Sequence, residues 1–543
     1  MNLLTLKGVK QSIHLIFLIQ LDNYLMKSNF FLLISLLLFL SCQQEEAPQR
    51  PNILFAIADD QSFPHAGAYG CSWVSTPAFD KVAREGLLFT QAFTPNAKCA
   101  PSRACILTGR NSWQLEEAAN HWCVFPEKFT TFPEVLHDNG YEVGRTGKGW
   151  APGVAMRNGE PRELIGKVFN DQKRTPPAGF MSPLDYAENF KQFLGERKAE
   201  APFMFWYGGF EPHRAYEFQA GMKKGNKVLT KIEDVPPFWP DTDTVRADML
   251  DYAYEIEYFD QQLGKMLDVL EEEGLLENTI VIVTSDNGMP FPRVKGQVYE
   301  YDHHLPLAIM WGDGIQNPGR VIEEYVNFID FAPTLLEVAG VSPTSMQPMT
   351  GQSLTSLMQD QPDPTRNDYV LIGKERHDIG RPNDEGYPVR GIIKGEYAYT
   401  LNFKPDRWPA GNPETGYLNT DGSPTKTVIL NERRRLGSST FWDVNFGKRV
   451  AEELYHLPSD PYCMTNLALS TEHDDEKAAL KELLISELTQ QQDPRILGNG
   501  DIFDDYLYAD KRQTNFYEQF MEGKLGPKDA GWVNPGDFEP ETP

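Results

Sequence analysis

Basic residues are in short supply in this chain: 51 Lys+Arg stand against 77 Asp+Glu over 543 residues, a formal net charge of −26. So acidic a chain lacks the basic face that neutralises phosphates, which excludes a nucleic-acid binder. Cysteine is scarce as well. Six residues are too few for a disulfide scaffold in a chain of this length, so each is read singly. After residue 42 no run is long and apolar enough to span a bilayer, and the sequence has no internal repeat. What it has in quantity is core material, 41% hydrophobic and 12% aromatic residues, enough for one large domain or two unequal ones. An anionic substrate is compatible with this surface only where a local cluster of cations holds it.

The first 42 residues read as an address. Met26-Lys27 precedes an apolar run over 30–40, which ends in Leu40-Ser41-Cys42. This resembles a bacterial lipoprotein signal with Cys42 as the lipidated first residue; a single membrane anchor is the alternative. Gln43-Gln44-Glu45-Glu46 resembles the surface-export signal of Bacteroidetes lipoproteins. The expectation is an exported lipoprotein at the outer membrane, on the cell surface or in the periplasm of a Gram-negative bacterium, touching the membrane only through its lipid.

Beyond the leader, the apolar run 53–58 ends on Asp59-Asp60, and the run 278–284 ends on Ser285-Asp286-Asn287-Gly288. Both read as strands buried on two faces, as in a parallel α/β sheet, and both deliver acidic residues to the carboxyl edge where such sheets bind ligands. Helical periodicity appears over 77–85, 132–139, 247–275 and 331–339, and strand character over 203–207 and 322–328. The composition shifts at 349–367. Strand-like segments over 369–372, 389–393 and 397–403 and an amphipathic helix over 476–490 then read as an α+β appendix. The expected division is a leader over 1–42, a catalytic region over 47–366, a C-terminal subdomain over 367–492 and an extension over 493–543 that either wraps the surface as irregular structure or is partly mobile.

One motif carries chemistry. Cys99-Ala100-Pro101-Ser102-Arg103, continued through Leu107-Thr108-Gly109, resembles the C-x-P-S-R signature of type I sulfatases. Pro101 suits the first turn of a helix, which places position 99 at a helix N-terminus, where the dipole favours an anion. The resemblance runs over nearly all of the chain after the leader and is nearest to heparan N-sulfatase (sulfamidase), through Glu211-Pro212-His213-Arg214, Ser285 to Pro292 and Leu401-Asn402-Phe403-Lys404. It implies the alkaline phosphatase superfamily fold, a large mixed central sheet sandwiched by helices with a smaller C-terminal α+β domain containing an antiparallel sheet.

The resemblance also implies a site. Cys99 would be converted to Cα-formylglycine by a formylglycine-generating or anaerobic sulfatase-maturing enzyme; as a hydrated aldehyde it offers one hydroxyl to attack sulfur and a second to expel sulfate. Asp59, Asp60, Asp286 and Asn287, with an oxygen at position 99, would hold one Ca²⁺, a hard cation suited to such ligands. Arg103, Lys148, His213 and Lys295, with Arg293 as a rival, would hold the sulfate, and His213 would serve as a general acid. The family often has His two positions after its Gly-Lys lysine; this chain has Trp150, which leaves that proton-transfer role open. His121, Arg376, His377 and Lys404 are candidates for the sugar. The implied activity is hydrolysis of sulfate from a sulfated polysaccharide or its oligosaccharides, with an algal polymer such as ulvan favoured. The alternatives are an N-sulfoglucosamine sulfohydrolase acting on heparan-type glycans and a non-catalytic glycan-binding lipoprotein on the same fold.

Overall fold

The computed structural model describes residues 50–540 and 542–543; the leader and Cys42 lie outside the described residues. Eight strands make the main sheet: β1 (Asn52–Ala58), β2 (Leu87–Phe89), β3 (Glu142–Gly147), β4 (Lys167–Val168), β5 (Phe203–Gly208), β6 (Thr279–Ser285), β7 (Leu307–Met310) and β8 (Arg320–Ile322). Their spatial order is β8-β2-β7-β6-β1-β5-β3-β4, and only β7 runs antiparallel to its neighbours. The mixed sheet expected from the sequence is present.

Alternation along β1 divides the core. Ile53, Phe55 and Ile57 face a layer that includes α2 (Cys99–Thr108), α3 (Phe132–Asp138) and α6 (Phe331–Val338). Leu54, Ala56 and Ala58 face the layer of α1 (Pro77–Glu85), α4 (Tyr186–Glu196) and the thirty-residue α5 (Asp243–Glu272). Both faces of a strand in such a sheet are covered, which is why these runs are continuously apolar rather than alternating. Among the described residues no helix is long and apolar enough to cross a membrane.

A second, antiparallel sheet of β9 (Tyr369–Lys374), β10 (Val389–Lys394), β11 (Tyr397–Asn402) and β12 (Glu452–His456) packs on α9 (Asp474–Gln490) through Leu480, Leu484 and Leu488. Between β11 and β12 the chain leaves this sheet: α7 (Pro424–Leu436) and α8 (Thr440–Phe446) pack Ile429, Leu430 and Phe446 against Val245 and Met249 of α5. The extension is likewise anchored, with Tyr508, Phe516, Ala530 and Val533 packed on Ile379 and Leu418. It is also tied by charge. Arg390 on β10 binds Asp493 at 2.8 Å and Glu375 at 2.7 Å, and Arg495 binds the other Glu375 oxygen at 2.7 Å, all with side chains at most 3% exposed. Removing one member of a buried ion network strands its partners' charges. Arg390→Met is therefore expected to cost about 3–5 kcal/mol, read as a lower urea midpoint at unchanged slope.

Candidate active site

Strands β1 and β6 pair in parallel with Ala58 opposite Ser285, so Asp59-Asp60 and Asp286-Asn287 leave the sheet side by side. Asp60 adopts φ +79°, unusual for a residue with a side chain and a mark of a site that holds strain; its N–H donates to Asp286 Oδ1 at 3.1 Å. Helix α2 brings the third element. Cys99 is its first residue, Pro101 lies in its first turn and Gly109 closes it in the left-handed conformation at φ +66°. All ten residues of α2 are buried, so position 99 is held rigidly at the sheet's carboxyl edge.

Ligand atoms of Asp59, Asp60, Cys99 and Asp286 lie within 4.8 Å of one another. The Cys99 Sγ is 3.4 Å from Asp59 Oδ1 and 3.8 Å from Asp60 Oδ1. Asn287 Nδ2 donates to Asp60 Oδ1 at 2.7 Å, while its Oδ1 is buried without a hydrogen-bond partner. An orphaned buried carbonyl beside three converging carboxylates fits a hard divalent cation with oxygen ligands, and a His213 ring nitrogen also comes within reach of Asp59 and Cys99.

Cations back these carboxylates. Lys148 Nζ is 2.6 Å from Asp59, Lys295 Nζ is 2.6 Å from Asp60 and 3.1 Å from Asp421, and Arg103 Nε is 2.7 Å from Asp286. Arg103 is sealed behind the cluster, with Nη1 donating to the carbonyls of Lys148 and Gly149 at 2.9 Å and Nη2 3.8 Å from Asp59 Oδ1. Lys148 owes its position to two glycines: a Cβ on Gly208 would meet Lys148 O at 1.8 Å, and one on Gly147 would meet Gly208 O at 2.0 Å. Burial is the largest influence on Lys148 and disfavours its charge, but the Asp59 carboxylate, the Cys99 sulfur and Asp286 together outweigh it and hold the ammonium above its usual range. Burial likewise raises Asp59, yet Lys148, then His213, hold that carboxyl below its ordinary value. Cys99 goes the other way: burial, then the Asp59 carboxylate, push its thiol well above the usual range. An unmodified Cys99 is thus a protonated thiol and a poor nucleophile, although it lines a cavity of about 590 Å³ together with Lys148, His213 and Lys295.

The structure brings these sequence candidates together and disposes of others. His213 Nε2 lies 3.9 Å from Asp60 Oδ2. Arg293 turns away from the cavity to the carbonyls of Val444 and Cys463, leaving Lys295 as the second lysine. Trp150 does not replace a histidine: its indole N–H donates to Ala100 O at 2.9 Å, and its ring packs edge-on against Phe125, so it braces α2 from outside the cavity lining. His121 does line the cavity, and its Nδ1–H donates to the Asp378 carboxylate at 3.1 Å; burial holds its pKa down to about 4 despite that carboxylate. The other three sugar candidates do not line it. His377 is fully buried with Nε2 2.8 Å from Asn96 Oδ1, Arg376 is covered with its guanidinium over Tyr508, and Lys404 pairs with Asp501 at 3.1 Å. The described cysteines 71, 99, 105, 123 and 463 are all free thiols.

Three charged or aromatic lining residues that bear on the site, Lys98, Asp421 and Trp532, are not among the sequence candidates. Lys98 Nζ pairs with Asp378 at 2.9 Å, Asp421 pairs with Lys295, and Trp532 reaches the wall from the C-terminal extension. Lys98, next to the nucleophile motif, had a signal in its position alone; the others arrive from hundreds of residues away.

Residues 51–341 match the sulfatase family model. The chain belongs to the sulfatase family. Its members are sulfuric ester hydrolases, and the match contains Asp59, Asp60, Cys99, Arg103, Lys148, His213, Asp286, Asn287 and Lys295. Human (Homo sapiens) N-sulphoglucosamine sulphohydrolase is 28% identical to this sulfatase over 490 residues, 81% of this chain and 89% of the relative. An ulvan-active sulfatase of Formosa agariphila is 26% identical over 477 residues, 81% of this chain and 75% of the relative. A solved structure of a protein in complex with its substrate, D-glucosamine-2-N,6-O-disulfate, superposes with a TM-score of 0.60 at 19% identity, covering 82% of this chain and 98% of that one. At that identity the likeness shows the fold alone.

Proposed function

We propose that this sulfatase hydrolyses O-sulfate esters of a sulfated polysaccharide or its oligosaccharides, of the ulvan type, through a formylglycine at position 99. The observation that carries the reading is the convergence of Cys99 at the start of α2 with Asp59, Asp60 and Asp286 inside 4.8 Å, with Cys99 and Asp59 lining a cavity large enough for a sugar. The Sγ of Cys99 stands where an oxygen of the hydrated aldehyde would be. That group, once installed, supplies a hydroxyl nucleophile and a second hydroxyl from which the aldehyde is restored. A divalent cation held by Asp59, Asp60, Asp286, Asn287 and position 99 supplies charge that polarises the sulfate oxygens.

The chain's own residues do the rest. Lys148 and Lys295, each already against a carboxylate, present ammonium donors where charge develops on the sulfuryl oxygens. Arg103 fixes Asp286 and the Lys148 carbonyl, holding both sides of the cluster in place. His213, a third exposed at its side chain, is placed to give a proton to the departing sugar oxygen. Lys148→Ala is expected to lower kcat/KM by about 10²–10³-fold, measured as sulfate released over time.

Support for a glycan comes from the relatives, one named for a sulphoglucosamine and one for ulvan. The human relative favours the N-sulfate reading, so the test compares ulvan, carrageenan and fucoidan oligosaccharides with heparan oligosaccharides, using ion chromatography of free sulfate. Release from O-sulfated algal oligosaccharides supports the proposal; release from N-sulfated heparan alone replaces it with the sulfamidase reading, and binding without release by mature protein replaces it with the non-catalytic one. We also propose the exported lipoprotein form. A protein that takes up labelled palmitate only while Cys42 is intact supports it, and a soluble unlabelled product sinks it.

A further inference from the structure

The cavity beside Cys99 has the volume of a sugar site, and its wall combines aromatic rings with charges that are already paired. Trp122 and Trp532 both line it, and both pack against the cluster formed by Ile379, Leu418, Tyr508, Phe516, Ala530 and Val533. The C-terminal extension holds them. Trp532 donates its indole N–H to Leu418 O at 2.8 Å and its carbonyl accepts from Gly422 N at 2.9 Å. The Trp122 carbonyl accepts from Ala509 N at 2.7 Å, and its ring lies 6.1 Å from that of Tyr508. Further along, a buried Lys426–Asp537 pair at 3.1 Å pins the segment after Trp532. Rings fixed this firmly offer a flat apolar surface at little entropic cost on binding. Phe180, 75% exposed, and Phe210, 42% exposed, line the same cavity.

The charges argue about what the ring carries. Each Lys and Arg lining the cavity among the described residues has a carboxylate within 3.1 Å: Lys98 with Asp378, Lys148 with Asp59, Lys295 with Asp60 and Asp421, and Arg214 with Asp248. Lys148 and Lys295 belong to the cluster at Cys99 and serve the sulfate that is removed. Lys98 and Arg214 are neutralised by buried partners, so a second sulfate or a carboxylate on the same ring would lose its hydration without gaining a free cation.

We propose that Trp122 and Trp532 form the face on which the sulfated sugar ring stacks, and that this subsite selects a ring whose remaining substituents are uncharged. The inference rests on the sulfatase reading of the same cavity. It makes the C-terminal extension a specificity element.

The test is calorimetric titration of mature protein carrying Cys99→Ala with an ulvan oligosaccharide bearing one sulfate on its terminal ring and with the same oligosaccharide bearing two sulfates on that ring, alongside kinetics of the active enzyme. The monosulfated sugar is expected to bind at least about tenfold tighter than the disulfated one, and Trp532→Ala to weaken its binding and raise KM about tenfold, with kcat within about threefold. Trp532→Phe restores most of the loss. Trp122→Ala gives the same pattern, and stands in should Trp532→Ala fail to fold. Unchanged affinity in both alanine variants, or equal affinity for the disulfated sugar, overturns the inference. Sulfate release insensitive to either tryptophan defeats the inference and leaves the sulfatase reading intact; tryptophan-dependent binding without release does the reverse; a sugar neither bound nor cleaved defeats both.

Discussion

Cys99→Ala is expected to reduce sulfate release by at least about 10⁴-fold while leaving the melting temperature within a few degrees, because it deletes the nucleophile and little else. The side chain of Cys99 fills no core of its own. It points at carboxylates 3.4 and 3.8 Å away, and α2 is held by its other nine residues and by the Gly109 cap. Cys99→Ser separates this account from one in which any small nucleophile suffices. A serine hydroxyl at the same place offers an attacking oxygen but no second hydroxyl, so a single sulfate transfer without turnover is expected. Measured by rapid quench, at most one equivalent of alcohol product per enzyme should appear. Steady turnover by the serine variant at a rate near wild type would remove the need for the aldehyde.

Loss of the divalent cation is the second large effect. Removing an ion that polarises the sulfate withdraws several kcal/mol of charge stabilisation, so chelation should slow release by about 10³-fold or more, with recovery on adding Ca²⁺. Activity alone would not show where the ion sits. Asn287→Ala provides that, since it removes one oxygen ligand and one hydrogen bond to Asp60 while leaving the ion pairs of the three carboxylates with Arg103, Lys148 and Lys295 in place. Wild-type apoprotein should gain about 2.7 kcal/mol of stability at a Ca²⁺ concentration 100 times the Kd. Asn287→Ala should need far more Ca²⁺ for the same rise in melting temperature. An identical Ca²⁺-dependent shift in wild type and variant would place the ion elsewhere.

Local patterns made part of this site legible in the sequence. The continuous apolar runs ending on Asp59-Asp60 and on Asp286-Asn287 announce buried parallel strands, and the Cys99-to-Arg103 motif announces a nucleophile at a helix start. What joins them, the register that sets Ala58 opposite Ser285, is a nonlocal pairing with no local signal. The sugar wall was least legible. His377 and Arg376 are candidates through the family resemblance, but an interior hydrogen bond to Asn96 and a stacked Tyr508 absorb them. Asp378, one residue further, is the one that lines the cavity. Trp532 lies 433 positions after Cys99 in a segment without regular periodicity, and only its packing on Leu418 and Val533's cluster brings it in. Trp150 shows the same limit in reverse, since its sequence position suggested the catalytic cleft and its indole instead satisfies a carbonyl of α2.

The central claim is that position 99 is an aldehyde in the working enzyme. Protein coexpressed with a formylglycine-generating or anaerobic maturing enzyme, digested and analysed by peptide mass spectrometry, tests it directly. The account predicts a peptide spanning Cys99 that has lost its sulfur, resists alkylation and couples to a hydrazide probe; a peptide that retains an alkylatable thiol at position 99 in protein actively releasing sulfate would contradict it.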